Sequence, residues 1–438
     1  MNFRKIRFDR DLLVIGIPAA LLIGGAFTVT LLLMRPAPPK EIVMSTGPLD
    51  GTYHAYAMKY REILAREGVT LNFWVSGGAV ENLRRLSDAN DGVDVAFVQG
   101  GITGRGNAGE LQSLGAMYLE PLWIFHRAQR GAVTLQSLKG GRIAIGDPGS
   151  GTAILAQTML QANGLTEQPT SIVQVGGRTA ADMLIQGSVD AVFLVADPKS
   201  EMVQQLIRTR GIHLLNLERA EAYVRQHYYL TRITLPRGVF DLQRDIPDHD
   251  IQMIAAPANL VVKQDLHPAL AYLLLRAASE VHGRPSLFNK LHDFPAADDT
   301  ELPLSPEASR YYKSGSPFLQ RYLPFWAANL IDRLLVLLLP ALVILIPAMR
   351  LLPALYRWRV RSRIYRWYAR LKEIEIDLDE RLDETQLQSI LRKLDSIENA
   401  VNHIDTPLAY SENLYVFRQH IDLVRQRTQS HLARPEAG

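Results

Sequence analysis

The chain has 438 residues, 48 Lys and Arg against 45 Asp and Glu for a formal charge of +3, and no cysteine. That length holds one large or two medium globular units with extras. The near-neutral charge excludes bulk nucleic-acid electrostatics, and the lack of cysteine excludes disulfides, thiolate metal sites and cysteine nucleophiles.

Residues 1–11 carry Arg4, Lys5, Arg7 and Arg10, and residues 12–34 are then uncharged and mostly apolar. A helix needs about 20 such residues to cross a bilayer. A cleaved signal peptide has a core of roughly 7–15 apolar residues and a small-x-small cleavage site. This run is longer and leaves through Met34-Arg35-Pro36-Ala37-Pro38-Pro39, so an uncleaved anchor is expected.

Residues 35–323 alternate strand and helix patterns, with a core over 41–295. Strands are expected at Glu41–Ser45, Leu71–Val75, Val93–Val98, Met117–His126, Arg142–Ile145, Ser171–Val175 and Asp190–Val195. Two more follow at Met253–Ala256 and Leu260–Val262. Helices are expected from Thr52 to Ala65 and over Val80–Ser87, Arg178–Gln186 and Ala269–Val281. Such alternation implies an α/β fold with parallel sheets under helical layers, whose ligands sit beyond the carboxyl ends of the strands. The loops at those ends are Thr46–Thr52, Ser76–Gly78, Gln99–Gly101, Gly146–Thr152, Gly176–Gly177 and Ala196–Lys199. Five of the six carry glycine, which lets backbone approach a ligand closely.

The fourth loop organises the rest. Gly149-Ser150-Gly151-Thr152 stands where a helix begins, so its backbone N–H groups lack helical partners and its hydroxyls add to an anion or carbonyl clamp. An ordinary strand-to-helix turn explains the same residues. A phosphate-binding P-loop would need Lys where Thr152 stands, and a nucleophile elbow would need Gly where Pro148 stands. No enzyme chemistry is therefore expected, and no cofactor or metal. Arg178 is the candidate charged partner for a ligand carboxylate, or else a solvated arginine at a helix start. Tyr53 either stacks on a ligand or packs between helix and sheet. The scattered histidines lack an i,i+4 pair of the kind that holds zinc. Two lobes would close on a solute through crossover segments expected near Leu122–Phe125 and Thr231–Pro236.

Four pieces carry a resemblance: Thr46-Gly47-Pro48-Leu49-Asp50-Gly51-Thr52-Tyr53, Ser76-Gly77-Gly78-Ala79-Val80-Glu81-Asn82-Leu83, Val93-Asp94-Val95-Ala96-Phe97-Val98-Gln99, and Gly146-Asp147-Pro148-Gly149-Ser150-Gly151-Thr152. In content, order and spacing they resemble the TAXI-type solute-binding proteins of TRAP transporters, over about Ile42 to Pro295. The resemblance implies a two-lobed, periplasmic-binding-protein-like receptor (type II) that captures a small organic acid or amino acid and hands it to a TRAP permease. It also implies that Thr52, Tyr53, Ser76, Gly77, Gly78, Asn82, Gln99, Gly149, Ser150, Gly151 and Thr152 line the cleft. The loop bridge is the alternative role for Asn82. This chain departs from the family pattern at Pro48-Leu49-Asp50 and Gly100-Gly101.

Ala296–Gly315 reads as a polar linker. Residues 327–355 form a second apolar segment, with Tyr322, Phe325 and Trp326 as an interfacial belt and Arg350, Arg357, Arg359, Arg361, Arg363, Arg366 and Arg370 beyond it. Basic residues stay on the cytoplasmic face. Both basic clusters thus place both termini in the cytoplasm of a bacterial inner membrane and residues 35–323 outside it. In residues 356–438 a basic helix precedes apolar three-four spacings at Ile364, Trp367, Leu371, Ile374 and Leu378, then Leu387 to Ile404, then Leu414 to Val424. Thr385 and Gln388 fit a capping box. A helical hairpin or coiled coil is expected, associating with a second copy or a cytoplasmic partner. The competing expectation for the whole chain is a degenerate, ligand-free binding fold that serves as a scaffold in an envelope complex.

Overall fold

The computed structural model describes residues 36–103, 110–127, 134–165, 169–298, 301–379, 382–403 and 411–432, with scattered positions between 16 and 32. The N-terminal basic cluster, most of the first apolar run, Ile404 and Thr406-Pro407 lie outside the described residues. The chain forms two compact units, Pro36–Leu330 and a second made of Met1–Arg35 with Ile331–Gly438.

The first unit opens with strands β1 (Glu41–Ser45), β2 (Thr70–Trp74) and β3 (Val95–Gln99), joined by helices α1 (Thr52–Arg66) and α2 (Ala79–Ser87). β1 pairs parallel with both β2 and β3. β3 is buried along its whole length, which is why it reads as an apolar run rather than an alternating one. Two long strands follow, β4 (Leu111–His126) and, much later, β10 (Ile251–Lys263). They pair antiparallel, from Lys263 opposite Leu111 to Ala255 opposite Pro121. β3 pairs with the C-terminal half of β10.

Past Pro121 the two strands carry a second lobe. β4 there pairs with β7 (Ala191–Val195) and β8 (His213–Leu214), and β10 pairs with β9 (Thr231–Leu235). β5 (Arg142–Ala144) lies parallel between β7 and β6 (Ser171–Val173). The ten-stranded order is β2-β1-β3-β10-β4-β7-β5-β6, with β8 and β9 off the path. Helices α3 (Gly151–Ala162), α4 (Gly177–Gln186), α5 (Glu201–Arg208) and α6 (Ala220–Gln226) complete this lobe.

Each lobe has its own core. In the first, Phe97, Leu64, Tyr60, Leu114 and Leu274 pack together. In the second, one cluster gathers Ile124, Ile143, Met159 and Phe193, and another gathers Trp123, Phe125, Leu184 and Val192. A fully buried side chain of this size contributes about 1.5–3 kcal/mol.

Three expectations change here. The crossover at Leu122–Phe125 does fall on a connecting strand, but Thr231–Leu235 is a strand of the second lobe, and β10 is the other crossing. The sequence split β10 into two strands because Pro257 interrupts it. Proline donates no ladder hydrogen bond. The structure absorbs it with register shifts on either side of Asn259, and Gly100 N donates to Pro257 O at 2.8 Å. The stretch 296–315 is not a linker. Leu304 and Ala296 bridge to β4 at Ser113 and Ala116, and helix α8 (Pro306–Ser314) buries Ala308 in the first lobe. Tyr312 Oη donates to Leu114 O at 2.7 Å over Gly115, whose φ of 116° and lack of a side chain admit that ring.

Helix α7 (Pro268–His282) packs on α1 in the first lobe, capped by His267 Nδ1, which accepts from Ala269 N at 3.2 Å. After the short α9 (Phe318–Tyr322), helix α10 (Phe325–Leu378) runs 54 residues through the second expected membrane segment. Among the described residues no helix is long and apolar enough to cross a membrane, so neither expected span is found there.

In the second unit, α11 (Glu384–Asn402) and α12 (Ser411–Leu432) follow α10. Their stripes bury one another. Ile364, Leu371 and Ile374 of α10 meet Ile390, Leu394 and Val401 of α11 and Phe417, Ile421 and Val424 of α12. The sequence had suggested association with a second copy or a cytoplasmic partner, and the stripes instead cover one another within the chain. The capping box sits two residues earlier than expected, on Asp383 and Gln386, because Asp383 provides the better N-cap acceptor.

Candidate functional site

The loops at the carboxyl ends of β2 and β3 face the loop after β5 and the turn before β9, and the two sets touch. Gly78 lies against Ser150, Gly101 against the Tyr229 ring, and Gln99 Oε1 against Gly151, where a Cβ would collide with it. A bulky side chain at Gly101 or Gly151 would wedge the lobes apart, because the Tyr229 ring and the Gln99 side chain already fill the space.

The helix starts on both sides are already partly satisfied. Ser150 caps α3 by accepting from Ala153 N at 3.2 Å while donating to Asp147 O at 2.7 Å. Asp147 in turn accepts from Gly176 N at 3.0 Å. On α2, Gly77 N donates to Glu81 Oε2 at 2.6 Å and Gly78 N to Ser76 Oγ at 3.2 Å. A carboxylate already sits at that helix start, and Arg85 pairs with it at 2.5 Å. Both effects hold Glu81 below the usual carboxylate range, the Gly77 bond first.

Asn82, at 0% exposure, is consumed by the protein. Its Oδ1 accepts from Ser45 Oγ and Ser76 Oγ, both at 2.7 Å. Its Nδ2 donates to Thr46 O at 2.5 Å and Phe97 O at 2.9 Å. One amide thereby ties the ends of β1 and β3 and the loop before α2. This is the bridging role, and it leaves no capacity for a ligand.

Of the expected cleft residues, Gly78 meets Ser150 and Gln99 meets Gly151 across the lobes, Ser76 and Asn82 lie in one network with the ends of β1 and β3, and Tyr53 reaches Glu120. Thr52 and Thr152 are half-buried at their helix starts. Arg178 is not with them as a free cation. It is exposed and paired with Glu201 at 2.9 Å.

Glu120 is the residue that sequence reasoning missed. It stands on β4 opposite Ala256, where the two connecting strands cross, and is 6% exposed. Tyr53 Oη donates to its Oε2 at 3.2 Å and Tyr118 Oη to its Oε1 at 3.4 Å. Burial pushes its carboxyl up to about 8, against the opposing pull of the hydrogen bonds from Tyr53 and Tyr118 and of the nearby Gln99 amide. Gln99 stands close enough to favour the charged form, yet its Nε2 completes no well-formed hydrogen bond and the side chain is 2% exposed. Tyr53 stacks on Phe97 with centroids 5.4 Å apart, so it packs against the sheet and reaches the acid at once. Tyr118 stacks on His282 at 5.4 Å, and burial pushes that imidazole down to about 3. One signal was available: Glu120 is the only acid in the apolar strand LQSLGAMYLEPLWIFH.

A cavity of about 1340 Å³ lies elsewhere, on the second lobe beside His126, His213, Arg219 and Arg244. Among the described residues no group of three or more His, Cys, Asp or Glu is placed to hold a metal ion.

Two separately cored lobes, spanned by a pair of long strands and meeting at glycine-bearing loops, make a two-lobed α/β binding fold. The chain belongs to the NMT1-like family, whose model matches residues 44–314. It is similar to the periplasmic aliphatic sulphonate-binding protein SsuA of Escherichia coli, at 15% identity over 56% of this chain and 73% of that one, with a TM-score of 0.38. It is also similar to the effector-binding domain of BenM with benzoate, at 12% identity, 58% and 100% coverage and a TM-score of 0.37. A third similarity is to a histidine kinase sensor domain resembling periplasmic binding proteins, at 15% identity, 55% and 89% coverage and a TM-score of 0.35.

Proposed function

We propose that this chain is an extracytoplasmic solute receptor of TAXI type, tethered to the membrane, which traps a small organic acid or amino acid between its lobes. The trapped solute serves a TRAP-type permease or transmembrane sensing. The observation that carries this reading is the crossing itself. The long strands β4 and β10 both run from one lobe into the other, beside a bulge at Asn259, so rotation about that point separates the loops that now touch. A ligand that contacts both lobes favours the closed state over the open one.

Tethering rests on the sequence, on the uncharged run 12–34 and on the exposed Leu335, Val336, Leu338, Val343 and Ile346 of α10. Its test is extraction of cell membranes with alkaline carbonate. An anchored chain stays in the pellet, and release of the full chain to the supernatant sinks the tether.

The test of the receptor is the thermal midpoint of the full-length chain against a panel of amino acids, amines and mono- and dicarboxylates. A ligand at 100 times its dissociation constant adds about 2.7 kcal/mol. The increment should vanish in Gly151→Trp, which holds the lobes apart. The contact between Gln99 and Gly151 also favours a second reading, a closed fold that acts as a scaffold. Silence across the panel selects that one.

A further inference from the structure

The cleft was expected to hold an anion, on the strength of helix starts and Arg178. The residues at its floor have the opposite chemistry. Arg178 is tied to Glu201, and Glu81 occupies the start of α2. The charged side chain buried at the crossing is Glu120, with three tyrosines around it. Tyr53 and Tyr118 hold its two oxygens. Tyr56 leans on Tyr118 with centroids 4.7 Å apart. Glu120 and Asp197, which lies past the end of β7, both act electrostatically on Tyr56. Lys59 Nζ, one turn along the same helix, stands 5.0 Å from the centre of the Tyr56 ring.

The second observation is Gln99. Among the described residues its buried Nε2 completes no well-formed hydrogen bond, although it stands near enough to favour the charged form of Glu120, while its Oε1 abuts Gly151 of the opposite lobe. Buried donors left unpaired cost about 1–3 kcal/mol, and native proteins leave few of them. Here the unpaired donor sits beside a carboxyl that has accepted two hydrogen bonds and has lone pairs to spare. One ligand satisfies both: a donor-rich cation for Glu120, with an acceptor oxygen or nitrogen next to it for Gln99.

We propose that the cleft takes a primary ammonium or amidinium compound carrying a neighbouring hydrogen-bond acceptor, and that Glu120 is the residue that selects the cation. The proposal rests on the receptor reading and names its substrate class. Tyr53 and Tyr118 orient the carboxylate, and Gln99 reads the acceptor while reporting closure through its contact with Gly151. Once Glu120 has lost its proton, a ligand whose only charge is a carboxylate brings like charge to it and is rejected.

The experiment is thermal denaturation of the full-length chain with ethanolamine, putrescine and agmatine, set against succinate, benzoate and methanesulfonate. At least one ammonium compound should raise the midpoint by several degrees, and the rise should disappear in Glu120→Gln. In the unmutated chain the affinity for that compound should strengthen at least tenfold from pH 6 to pH 8.5. The carboxyl must lose its proton to pair, and Tyr53, Tyr56, Tyr118, Gln99 and Asp197 are the groups that face it or its partners. The pH series keeps the test decisive if Glu120→Gln fails to fold. A rise confined to succinate, benzoate or methanesulfonate overturns the inference and leaves the receptor standing. So does an ammonium effect that Glu120→Gln retains or that is flat with pH. No rise with any of the six, nor with the wider panel, overturns both.

Discussion

Two buried polar clusters lie in the first lobe, one around Asn82 and one around Glu120, and they differ in how they are closed. The Asn82 cluster is complete: every donor and acceptor of the amide is matched by protein groups on three segments. The Glu120 cluster is incomplete: an acid held neutral by burial sits beside an amide with no partner for its N–H. Closed networks rigidify a fold, whereas open ones are tolerated where something else completes them. Burial and polarity alone do not separate structural from functional residues here, because both clusters have both. What separates them is the unspent hydrogen-bonding capacity.

The contrast is sharpest on deletion. Asn82→Leu removes four hydrogen bonds at once and strands two serine hydroxyls and two carbonyls. It should lower stability by about 3 kcal/mol or more, read from urea midpoints. A loss below about 1 kcal/mol would show that the cluster is not what joins β1 to β3.

Glu120 should instead show itself in pH dependence. Its folded-state pKa of about 8 lies above the usual carboxyl value, so the folded chain holds a proton that the unfolded chain has released. Stability should therefore fall as pH rises from about 4.5 to about 8, by on the order of 2–4 kcal/mol, and level off above. Glu120→Gln should abolish that slope. His282 adds the opposite limb, since burial pushes its imidazole down to about 3 and stability falls as pH drops from about 6.5 towards 3. Unfolding curves at half-unit steps check both. A profile in Glu120→Gln identical to the original would remove the acid from the account.

A smaller effect is expected at the rim. Gly151→Ala places a methyl against the end of the Gln99 side chain, which is free to rotate away. The cost should be about 1 kcal/mol, with a lower affinity for any ligand that needs closed lobes. Smallest is Arg178→Ala, which breaks an exposed pair with Glu201. It should change stability by less than about 0.5 kcal/mol and leave ligand binding untouched. Any loss of binding there would restore the anion reading.

Much of this architecture was legible because the signals were local. Strand ends marked by Gly78, Gly101 and Gly146 showed which loops meet, and period-3.6 stripes located the three helices of the second unit. Asn82 and Arg178 were correctly placed near helix starts, but their partners were not visible. Ser45, Ser76 and Phe97 reach Asn82 from three segments, and Glu201 comes from the next helix. Glu120 was missed for a related reason. A lone acid in an apolar strand is conspicuous, but its meaning depends on Tyr53 and Gln99, which arrive from elsewhere. The linker reading of 296–315 failed because polar composition says nothing about pairing with Ser113 and Ala116 on β4.

The long pair of strands has a further consequence. No residue between Met117 and Ala258 belongs to the buried core of the first lobe, whose cluster is otherwise drawn from both sides of that gap. Both ends of this unit are fixed to the same lobe. Pro36 O bonds His267 Nε2 at 3.2 Å, and Phe325 N donates to Glu67 Oε2 at 3.0 Å. In genetic terms the second lobe is an insertion in a hairpin. Most of its coding segment lies between two adjacent antiparallel strands, with a later excursion at Leu287 and Phe288 returning to the same core, so most of the specificity on that side is free to be exchanged between genes without rewriting the lobe that holds the ends of this unit.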